Sequence, residues 1–322
     1  MHKAANNTRV DAVVIGRNEG ERLTACIRSL QGQVRRIVYV DSGSTDGSAE
    51  SAAALGAEVI ALDMSIPFTA ARARNAGLKA LANQPPDFIQ FIDGDCLLRD
   101  GWIERATGFL DENLRAAVVC GRRRERFPEA SVYNTLCDAE WDTPVGETRA
   151  CGGDALMRYN PVAAIGGFRE DLIAGEEPEL CLRLRGQGWT IWRIDAEMTW
   201  HDAAILRFSQ WWRRVERAGY AFAEGVTRFD SRRERFRVIE YRRILAWGFW
   251  LPLITLVLAL ALHPAALVLL LAYPAQVARL TPQMGFRGAF FNTLGKFPEA
   301  QGACRFHLRR WRGKEPRLIE YK

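Results

Sequence analysis

The chain of 322 residues has no closely spaced pair of cysteines. Its seven cysteines stand at positions 26, 96, 120, 137, 151, 181 and 304, and no two of them form a C-x-x-C pattern. Their number and scatter indicate neither a disulfide framework nor a zinc motif, so we expect free thiols in a reducing compartment. Residues 1–12 are polar and contain no apolar core. We therefore expect no secretion signal.

The charge pattern does not indicate a nucleic-acid-binding protein. The net charge is +6 at pH 7, and the basic excess lies late in the chain, on both sides of an apolar segment. Because that excess is not interleaved with base-stacking aromatic residues, we expect no nucleic-acid partner. Hydrophobic residues make up 48% and charged residues 25% of the chain. This composition is typical of a folded protein with two domains, or with one large domain and an appendage.

Charged residues are also missing from residues 244–278, which are apolar along most of their length. A membrane span needs about 20 apolar residues, so we interpret this run as membrane-embedded rather than as a helix buried in a large core. His263 and Pro264 divide the run, and proline disfavours helix in its own interior and in the residue before it. We predict a helical hairpin that crosses or re-enters the bilayer, with a single bent span as the alternative. Basic residues flank the run on both sides, which favours cytoplasmic ends.

Apolar, β-rich runs alternate with helix-like segments before this membrane segment. We predict strands at residues 10–15, 36–40, 57–61, 88–92, 116–120, 155–157 and 191–194, and helices near 19–30, 47–55, 70–82, 102–112, 131–141, 176–186 and 206–226. This alternation predicts an α/β fold with a mainly parallel sheet that is covered on both faces. Polar motifs follow the first, second and fourth predicted strands. Because ligands bind at the carboxyl ends of such strands, we expect one binding crevice there.

Two aspartates, Asp93 and Asp95, follow the fourth predicted strand. Mg²⁺ and Mn²⁺ favour sites made of one or two carboxylates together with substrate phosphates. The alternative is a polar turn that binds nothing. His201 can complete a metal site near these carboxylates, although a single histidine is more often structural.

Acidic and basic side chains in three further motifs have both structural and functional interpretations. Asp41 can bind a base or ribose, while the residues after it make a well-capped loop into a helix. Arg72 and Arg74 do not share a helix face, so one can reach a phosphate while the other is solvated. Glu176 and Glu177 suit the start of a helix, and either can also act as a general base.

An ordered set of motifs resembles glycosyltransferase family 2 over about residues 8–228. The motifs are residues 15–19 (IGRNE), 40–47 (VDSGSTDG), 73–77 (ARNAG), 93–95 (DGD), 152–153 (GG), 175–180 (GEEPEL) and His201. The resemblance implies the GT-A fold, a Rossmann-like, nucleotide-sugar-binding sheet, in residues 1–230. A basic juxtamembrane segment (231–243), the transmembrane or re-entrant hairpin (244–280) and a basic, amphipathic cytoplasmic tail (281–322) complete the expected organisation.

The resemblance also implies roles for individual residues. Glu177 or Glu176 would be the catalytic base, and Asp95 and His201 would bind Mg²⁺ or Mn²⁺. The nucleotide and donor sugar would be held by Gly16, Arg17, Asn18, Glu19, Asp41, Ser42, Gly43, Arg74, Asn75, Asp93, Gly152 and Gly153. Glu177 stands where the family usually has aspartate, which leaves the choice between the two glutamates open. Residues 210–213 (QWWR) match the signature of processive members only in part, so we infer no processive synthesis.

We therefore predict an inverting, metal-dependent glycosyltransferase of the inner membrane, with its catalytic domain facing the cytoplasm. The expected donor is a UDP- or GDP-linked sugar, and the expected acceptor is a glycan or a lipid-linked glycan in cell-surface or exopolysaccharide assembly. The run Arg122–Arg124 or the juxtamembrane arginines could meet the acceptor's phosphates and membrane lipids. The alternatives are a nucleotidyltransferase, for which residues 16–20 (GRNEG) are a poor phosphate loop, and a membrane scaffold that binds a nucleotide sugar as a signal.

Overall fold

The computed structural model describes residues 8–229 and 237–313, and its elements form two compact units. The first unit comprises the chain up to Leu172 together with Glu176–Ala204. Its strands are β1 (Val10–Gly16), β2 (Arg36–Asp41), β3 (Glu58–Ala61), β4 (Phe88–Asp93), β5 (Cys96–Leu98), β6 (Ala116–Glu125), β7 (Gly146–Thr148), β8 (Ala155–Arg158) and β9 (Thr190–His201). Its helices are α1 (Glu21–Leu30), α2 (Ser48–Ala54), α3 (Ala70–Ala80), α4 (Trp102–Glu112), α5 (Val132–Glu140), α6 (Tyr159–Ala164) and α7 (Glu176–Gly186).

The strands of the described first unit form one nine-stranded sheet, in the order β3-β2-β1-β4-β8-β6-β9-β5, with β7 paired to β9. The first four strands of this order are parallel, and β6 is parallel to β9. The strand β8 is antiparallel to both of its neighbours, and β5 and β7 are antiparallel to β9. The predicted α/β class and mainly parallel sheet are therefore confirmed. The strands β5 and β7 were missed because three residues are too few to show a strand pattern.

The centre of the sheet is apolar on both faces, as expected where helices cover both sides. In β1 the side chains from Val10 to Ile15 are buried without alternation. Two polar side chains of the central strands are also fully buried: Asp11 on β1, which pairs with Arg35 at 2.7 Å, and Gln90 on β4. Trp102 at the start of α4 donates its Nε1–H to the Gln90 amide oxygen at 2.8 Å. A buried amide needs such a partner, so this hydrogen bond fixes the start of α4 against the middle of the sheet.

The second unit comprises Ile173–Gly175 and the chain from Ile205 onward. It contains α8 (Phe208–Arg228), α9 (Val238–Ile244), α10 (Leu251–Ala261), α11 (Ala272–Leu294) and α12 (Lys296–Trp311). The helices α8 and α12 cross very closely, because a Cβ on Gly219 would overlap the backbone of Glu299 and a Cβ on Gly302 would overlap that of Glu216. The sequence-based organisation put α8 with the sheet, in residues 1–230. The structure instead groups α8 with the C-terminal helices, since this crossing joins them.

The apolar segment is helical and breaks at the predicted point. A π-helical turn (Leu245–Trp250) links α9 to α10, His263 has an extended backbone, and a 3-10 helix (Pro264–Leu271) leads into α11. Two helical stretches, Val238–Ala261 and Pro264–Trp311, are long and apolar enough to cross a membrane. Many of their leucines are exposed, with Leu260 79% and Leu271 62% accessible, which argues against a helix buried in a protein core.

The boundary predicted between residues 280 and 281 falls inside α11. Neither residue breaks a helix, and the first departure from helical backbone is at Gly285, where φ is 71°. Parts of the predicted basic juxtamembrane segment and tail, residues 231–236 and 314–322, lie outside the described residues.

Candidate functional site

The carboxyl ends of β1, β2 and β4 bring the predicted motifs to one edge of the sheet. In the strand register, Gly16 pairs with Asp41, and Ile15 pairs with Asp93. The three loops that follow these strands are therefore neighbours, as the parallel arrangement predicts.

The loops after β1 and β2 are joined by hydrogen bonds. The backbone N–H of Asn18 donates to Ser44 Oγ at 2.9 Å, and its side-chain oxygen accepts from the N–H of Thr45 at 2.8 Å. The buried carboxylate of Asp41 accepts from Tyr39 Oη at 2.9 Å and from the N–H groups of Gly43 and Ser44. Asp41 thus fixes its own loop, a structural role that the sequence did not predict for it.

Other predicted donor-binding residues line the same loops. Glu19 pairs with Arg22 at 2.7 Å, and Arg17 is exposed beside it. Gly43 has φ of 80°, a backbone conformation that favours glycine. Ser42 is fully buried, and its Oγ has no hydrogen-bond partner among the described residues.

Asp93 is the centre of a charge network behind this edge. Its Oδ1 is 3.0 Å from Arg74 Nη2, and its Oδ2 is 3.2 Å from Arg123 Nη2. Burial alone would raise the pKa of Asp93, but the positive charges of Arg74 and Arg123 outweigh it and hold the pKa below its ordinary value. Asp154, fully buried, accepts from the N–H of Asp93 and from Thr199 Oγ1, and lies 3.5 Å from Arg123 Nε. Asp93 is therefore an ionised group held in a fixed position.

The glycines at 152 and 153 stand against the same network. A Cβ on Gly153 would lie 3.1 Å from Asp93 Oδ2 and 3.3 Å from both Arg74 and Arg123, so a larger residue would crowd all three. Gly152 has φ of 84°, which also favours glycine. Asn75 uses its amide differently, donating to the Phe168 carbonyl and to Glu170 and accepting from the Phe168 N–H. These hydrogen bonds fix the loop at Phe168.

Asp95 and His201 are brought together by β5. In the antiparallel pairing of β5 with β9, Cys96 lies opposite His201, and the imidazole Nε2 is 3.4 Å from Asp95 Oδ2. The ligand atoms of Asp95, Cys96 and His201 all lie within 4.8 Å of one another. A buried carboxylate beside an imidazole is a donor set that suits Mn²⁺ or Mg²⁺. The residues present therefore fit the predicted metal.

Glu125 lies behind the imidazole. Its Oε2 is 3.8 Å from His201 Nδ1, a buried nitrogen that has no hydrogen-bond partner among the described residues. Glu125 is itself fixed, because it accepts from the N–H groups of Phe127 and Ala203 and from the Asn134 amide. A carboxylate in this position favours the tautomer that leaves Nε2 free to face Asp95.

The two candidate bases have different surroundings. Glu176 forms an ion pair with the buried Arg74, with Oε1 2.6 Å from Nη1. Glu177, in the first turn of α7, is buried and accepts the backbone N–H of Cys151 at 2.5 Å. Glu176 thus belongs to the Asp93 network, while Glu177 contacts the loop that carries Gly152 and Gly153.

Three residues of this region were not found from the sequence: Arg123, Glu125 and Asp154. Arg123 belongs to the run Arg122–Arg124, one of the two sets of arginines that could meet the acceptor's phosphates. Arg123 points to Asp93, and Arg122 pairs with Asp138 and Asp142. Strand alternation was the available signal, since it turns the middle arginine away from its neighbours.

Comparisons with known proteins agree with the fold. The structure superposes on the Mannosyltransferase PcManGT from Pyrobaculum calidifontis, solved in complex with GDP-Man and Mn2+, with a TM-score of 0.64 at 19% identity, covering 92% of this chain and 87% of that one. It also matches S. aureus TarS 1-349, with a TM-score of 0.51 at 13% identity over 95% of this chain and 92% of the other. The sheet and its site define a protein of the GT-A fold.

The sequence of the chain is also similar to a family model and to known proteins. The model of Glycosyl transferase family 2 matches residues 11–153. Succinoglycan biosynthesis protein ExoA from Rhizobium meliloti is 29% identical over 207 residues, which are 59% of this chain and 62% of the relative. The Pre-mycofactocin glycosyltransferase from Mycobacterium tuberculosis is 29% identical over 188 residues, which are 54% of this chain and 38% of the relative. The chain thus spans less than two thirds of the length of either relative, and the family model matches less than half of the chain.

Proposed function

We propose that the protein is an inverting glycosyltransferase that moves a sugar from a nucleotide-diphosphate sugar to a hydroxyl acceptor. The observation that carries this proposal is the convergence of Asp93, Asp95, His201 and Glu177 on one edge of a GT-A sheet, from three separate parts of the chain. GDP-Man and Mn2+ bound to a structural relative support a nucleotide sugar and a metal ion as ligands.

The donor would lie along the loops after β1 and β2. Asp41 and Glu19 would hold the nucleoside, while Gly16, Arg17, Asn18, Ser42 and Gly43 shape the loops around it. Asp93 would contact the ribose or the sugar. Arg74 and Arg123 keep this carboxylate ionised, so it accepts hydrogen bonds from hydroxyl groups of the donor.

Asp95 and His201 would hold Mg²⁺ or Mn²⁺. When bound there, the ion supplies positive charge that stabilises the leaving diphosphate. Glu125 keeps the imidazole of His201 oriented for this role. The buried position of both ligands limits competition from water.

Glu177 would take the proton from the acceptor hydroxyl as that oxygen attacks the anomeric carbon from the side opposite the diphosphate. Glu176 is bound to Arg74 and would position the donor side of the site instead. Gly152 and Gly153 let the acceptor and sugar approach the backbone near Glu177. The attack from the opposite side inverts the anomeric configuration.

The acceptor would be a glycan or a lipid-linked glycan in cell-surface or exopolysaccharide assembly. The two apolar helical stretches and the basic residues around them support attachment to the inner membrane. A relative named for succinoglycan biosynthesis supports a polysaccharide product. Nucleotide sugars are cytoplasmic, so the catalytic unit would face the cytoplasm.

A screen of UDP- and GDP-linked sugars for nucleotide release tests the proposal. The full chain in detergent is supplied with each donor, a mixed glycan acceptor and Mn²⁺, with a chelator as the control. We expect one donor to release nucleoside diphosphate only when metal is present. Pyrophosphate release would identify a nucleotidyltransferase, and donor binding without turnover would identify a scaffold. Either result would overturn the proposed reaction.

The apolar segment should form a hairpin with both ends in the cytoplasm. Arg242 and Arg243 precede the segment and Arg279 follows it, and a single span would leave one of these groups outside against the positive-inside preference. Reporter fusions at Gln283 and at the C-terminal Lys322 measure this. We expect a cytoplasmic signal at both positions. A periplasmic signal at Lys322 would leave a single span as the correct topology.

A further inference from the structure

Two buried cysteines stand beside Glu177. Cys151 ends the loop before Gly152, and Cys181 lies four residues after Glu177 on the same face of α7. The two sulfur atoms are 3.8 Å apart, and Cys181 Sγ is 3.5 Å from Glu177 Oε1. The ligand atoms of all three side chains lie within 4.8 Å of one another. The two thiols play no part in the proposed transfer reaction, whereas Glu177 is its proposed base.

The spacing of these atoms matches one tetrahedral coordination shell. Zinc binds thiolate sulfur at about 2.3 Å and carboxylate oxygen at about 2.0 Å, and at tetrahedral angles these lengths separate two sulfurs by about 3.8 Å and a sulfur from an oxygen by about 3.5 Å. Both separations agree with those in the structure. Three protein ligands leave a fourth position open, as in many zinc sites that are not purely structural.

The donor atoms separate this cluster from the site at Asp95. Thiolates select soft or borderline ions such as Zn²⁺ and Cd²⁺, whereas Mg²⁺ and Mn²⁺ prefer oxygen ligands. Burial raises the pKa of Cys151, so the thiols are protonated in the absence of metal. Binding one Zn²⁺ would therefore release two thiol protons and form two Zn–S bonds and one Zn–O bond. The spacing along the sequence does not reveal the site, because the fold alone brings 151 and 181 together.

We propose that Cys151, Glu177 and Cys181 form a second metal site, specific for a thiophilic divalent cation such as Zn²⁺, whose occupancy stops transfer. Zinc coordination ties up the Glu177 carboxylate that would otherwise accept the acceptor's proton. The inhibitory part rests on the proposed function, whereas the binding part does not. A cell with excess zinc would thus lose activity without any change in the Mn²⁺ site.

Metal titration of the full chain in detergent tests the binding part. The metal-stripped protein is titrated with Cd²⁺, which gives an ultraviolet thiolate-to-metal band, and with Zn²⁺ against a chromophoric chelator. We expect one equivalent bound by the unaltered protein, and affinity at least about 10-fold lower in Cys151→Ser and Cys181→Ser. Cys304→Ser, which changes an exposed thiol of the second unit, should bind normally. A band that persists in both serine variants would overturn the site.

Two further variants keep the result interpretable. Cys96→Ser removes the thiol that lies beside Asp95 and His201. If the thiolate band is lost in this variant but kept in Cys151→Ser and Cys181→Ser, the ion binds at Cys96 and the proposed site is overturned. Glu177→Gln keeps both thiols but removes the oxygen ligand, so we expect weaker binding with the thiolate band retained. Circular dichroism detects a serine variant that fails to fold. In that case Glu177→Gln tests the site, because an unchanged metal affinity in this variant would overturn it.

The inhibitory part is measured as the ratio of transfer rates with and without Zn²⁺ at fixed Mn²⁺. We expect at least about a 10-fold loss with one equivalent of zinc, reversed by a chelator, and a ratio near one in Cys181→Ser. Zinc that binds at this cluster but leaves transfer unchanged would overturn the inhibition and keep the site. If no donor supports transfer at all, the proposed function fails, and the titration still decides whether the site exists.

Discussion

Asp95→Asn should abolish metal-dependent transfer while leaving the fold intact. Asparagine has the same shape as aspartate but lacks its charge. In the unaltered protein the pairing of β5 with β9 places the Asp95 carboxylate 3.4 Å from His201 Nε2. Removing one group that stabilises developing charge costs about 10²–10³-fold in rate, and loss of the ion costs at least that. The measurement is the initial rate of nucleotide release as a function of Mn²⁺ concentration.

The matched control is Asp100→Asn, since Asp100 is an exposed carboxylate on the turn that follows β5. We expect this variant to keep the rate and the Mn²⁺ dependence of the unaltered protein. Equal thermal unfolding midpoints for the three proteins would show that only the site has changed. If Asp95→Asn keeps both its rate and its Mn²⁺ dependence, the metal assignment is wrong.

Glu177→Gln should keep donor binding and lose turnover. The amide has the volume of the carboxylate but cannot accept a proton, and general-base catalysis is worth about 10²–10⁴-fold. The rate constant at saturating acceptor should fall by that factor, while the donor dissociation constant stays within about twofold because the role proposed for Glu177 involves the acceptor and not the donor.

Glu176→Gln is the matched variant, one residue away on the same helix. It removes the charge that neutralises Arg74, so we expect its main effect in donor binding rather than in the rate at saturation. The two variants therefore separate base catalysis from donor positioning. An inactive Glu176→Gln beside an active Glu177→Gln would move the base by one residue.

The sequence predicted those parts of the site that follow long elements. The strands β1, β2 and β4 each contain a run of buried apolar residues, so the polar residues after them could be recognised as loop ends. The partnership of Asp95 with His201 could not be derived in this way. It depends on β5, a three-residue strand without a pattern of its own, and the prediction came from the family resemblance.

Charged residues inside strands were also hidden from the sequence. Arg123 lies between two other arginines, and their composition indicates a basic surface, yet the alternation of β6 turns Arg123 toward Asp93. Asp154 gave no signal at all, because its hydrogen bonds to Asp93 and Thr199 exist only once β4, β8 and β9 are assembled. Tertiary pairing, rather than local pattern, determines such groups.

The membership of α8 shows the same limit. Its helical period was evident, but not the helix against which it packs. Gly219 and Gly302 are 83 positions apart in the chain, and the need for glycine at both positions arises only from the crossing of α8 and α12. A glycine within a helix lowers the stability of that helix by about 1 kcal/mol relative to alanine. The close packing of α8 against α12 at Gly219 and Gly302 compensates for this lower helix stability.

The strand β5 lies at the end of the sheet order. Release of a metal ion bound by Asp95 and His201 would therefore report local unfolding of this strand. Among the strands that the structure describes, only β9 pairs with this short strand, and β9 comes more than ninety residues later in the chain. Fraying of the three residues would separate Asp95 from His201 and release the ion in one event, since edge elements open with less free energy than the whole domain. Bound Mn²⁺ in turn holds the edge closed by mass action. Amide hydrogens of residues 96–98 should therefore exchange more slowly as Mn²⁺ is added, while those of β1 do not change.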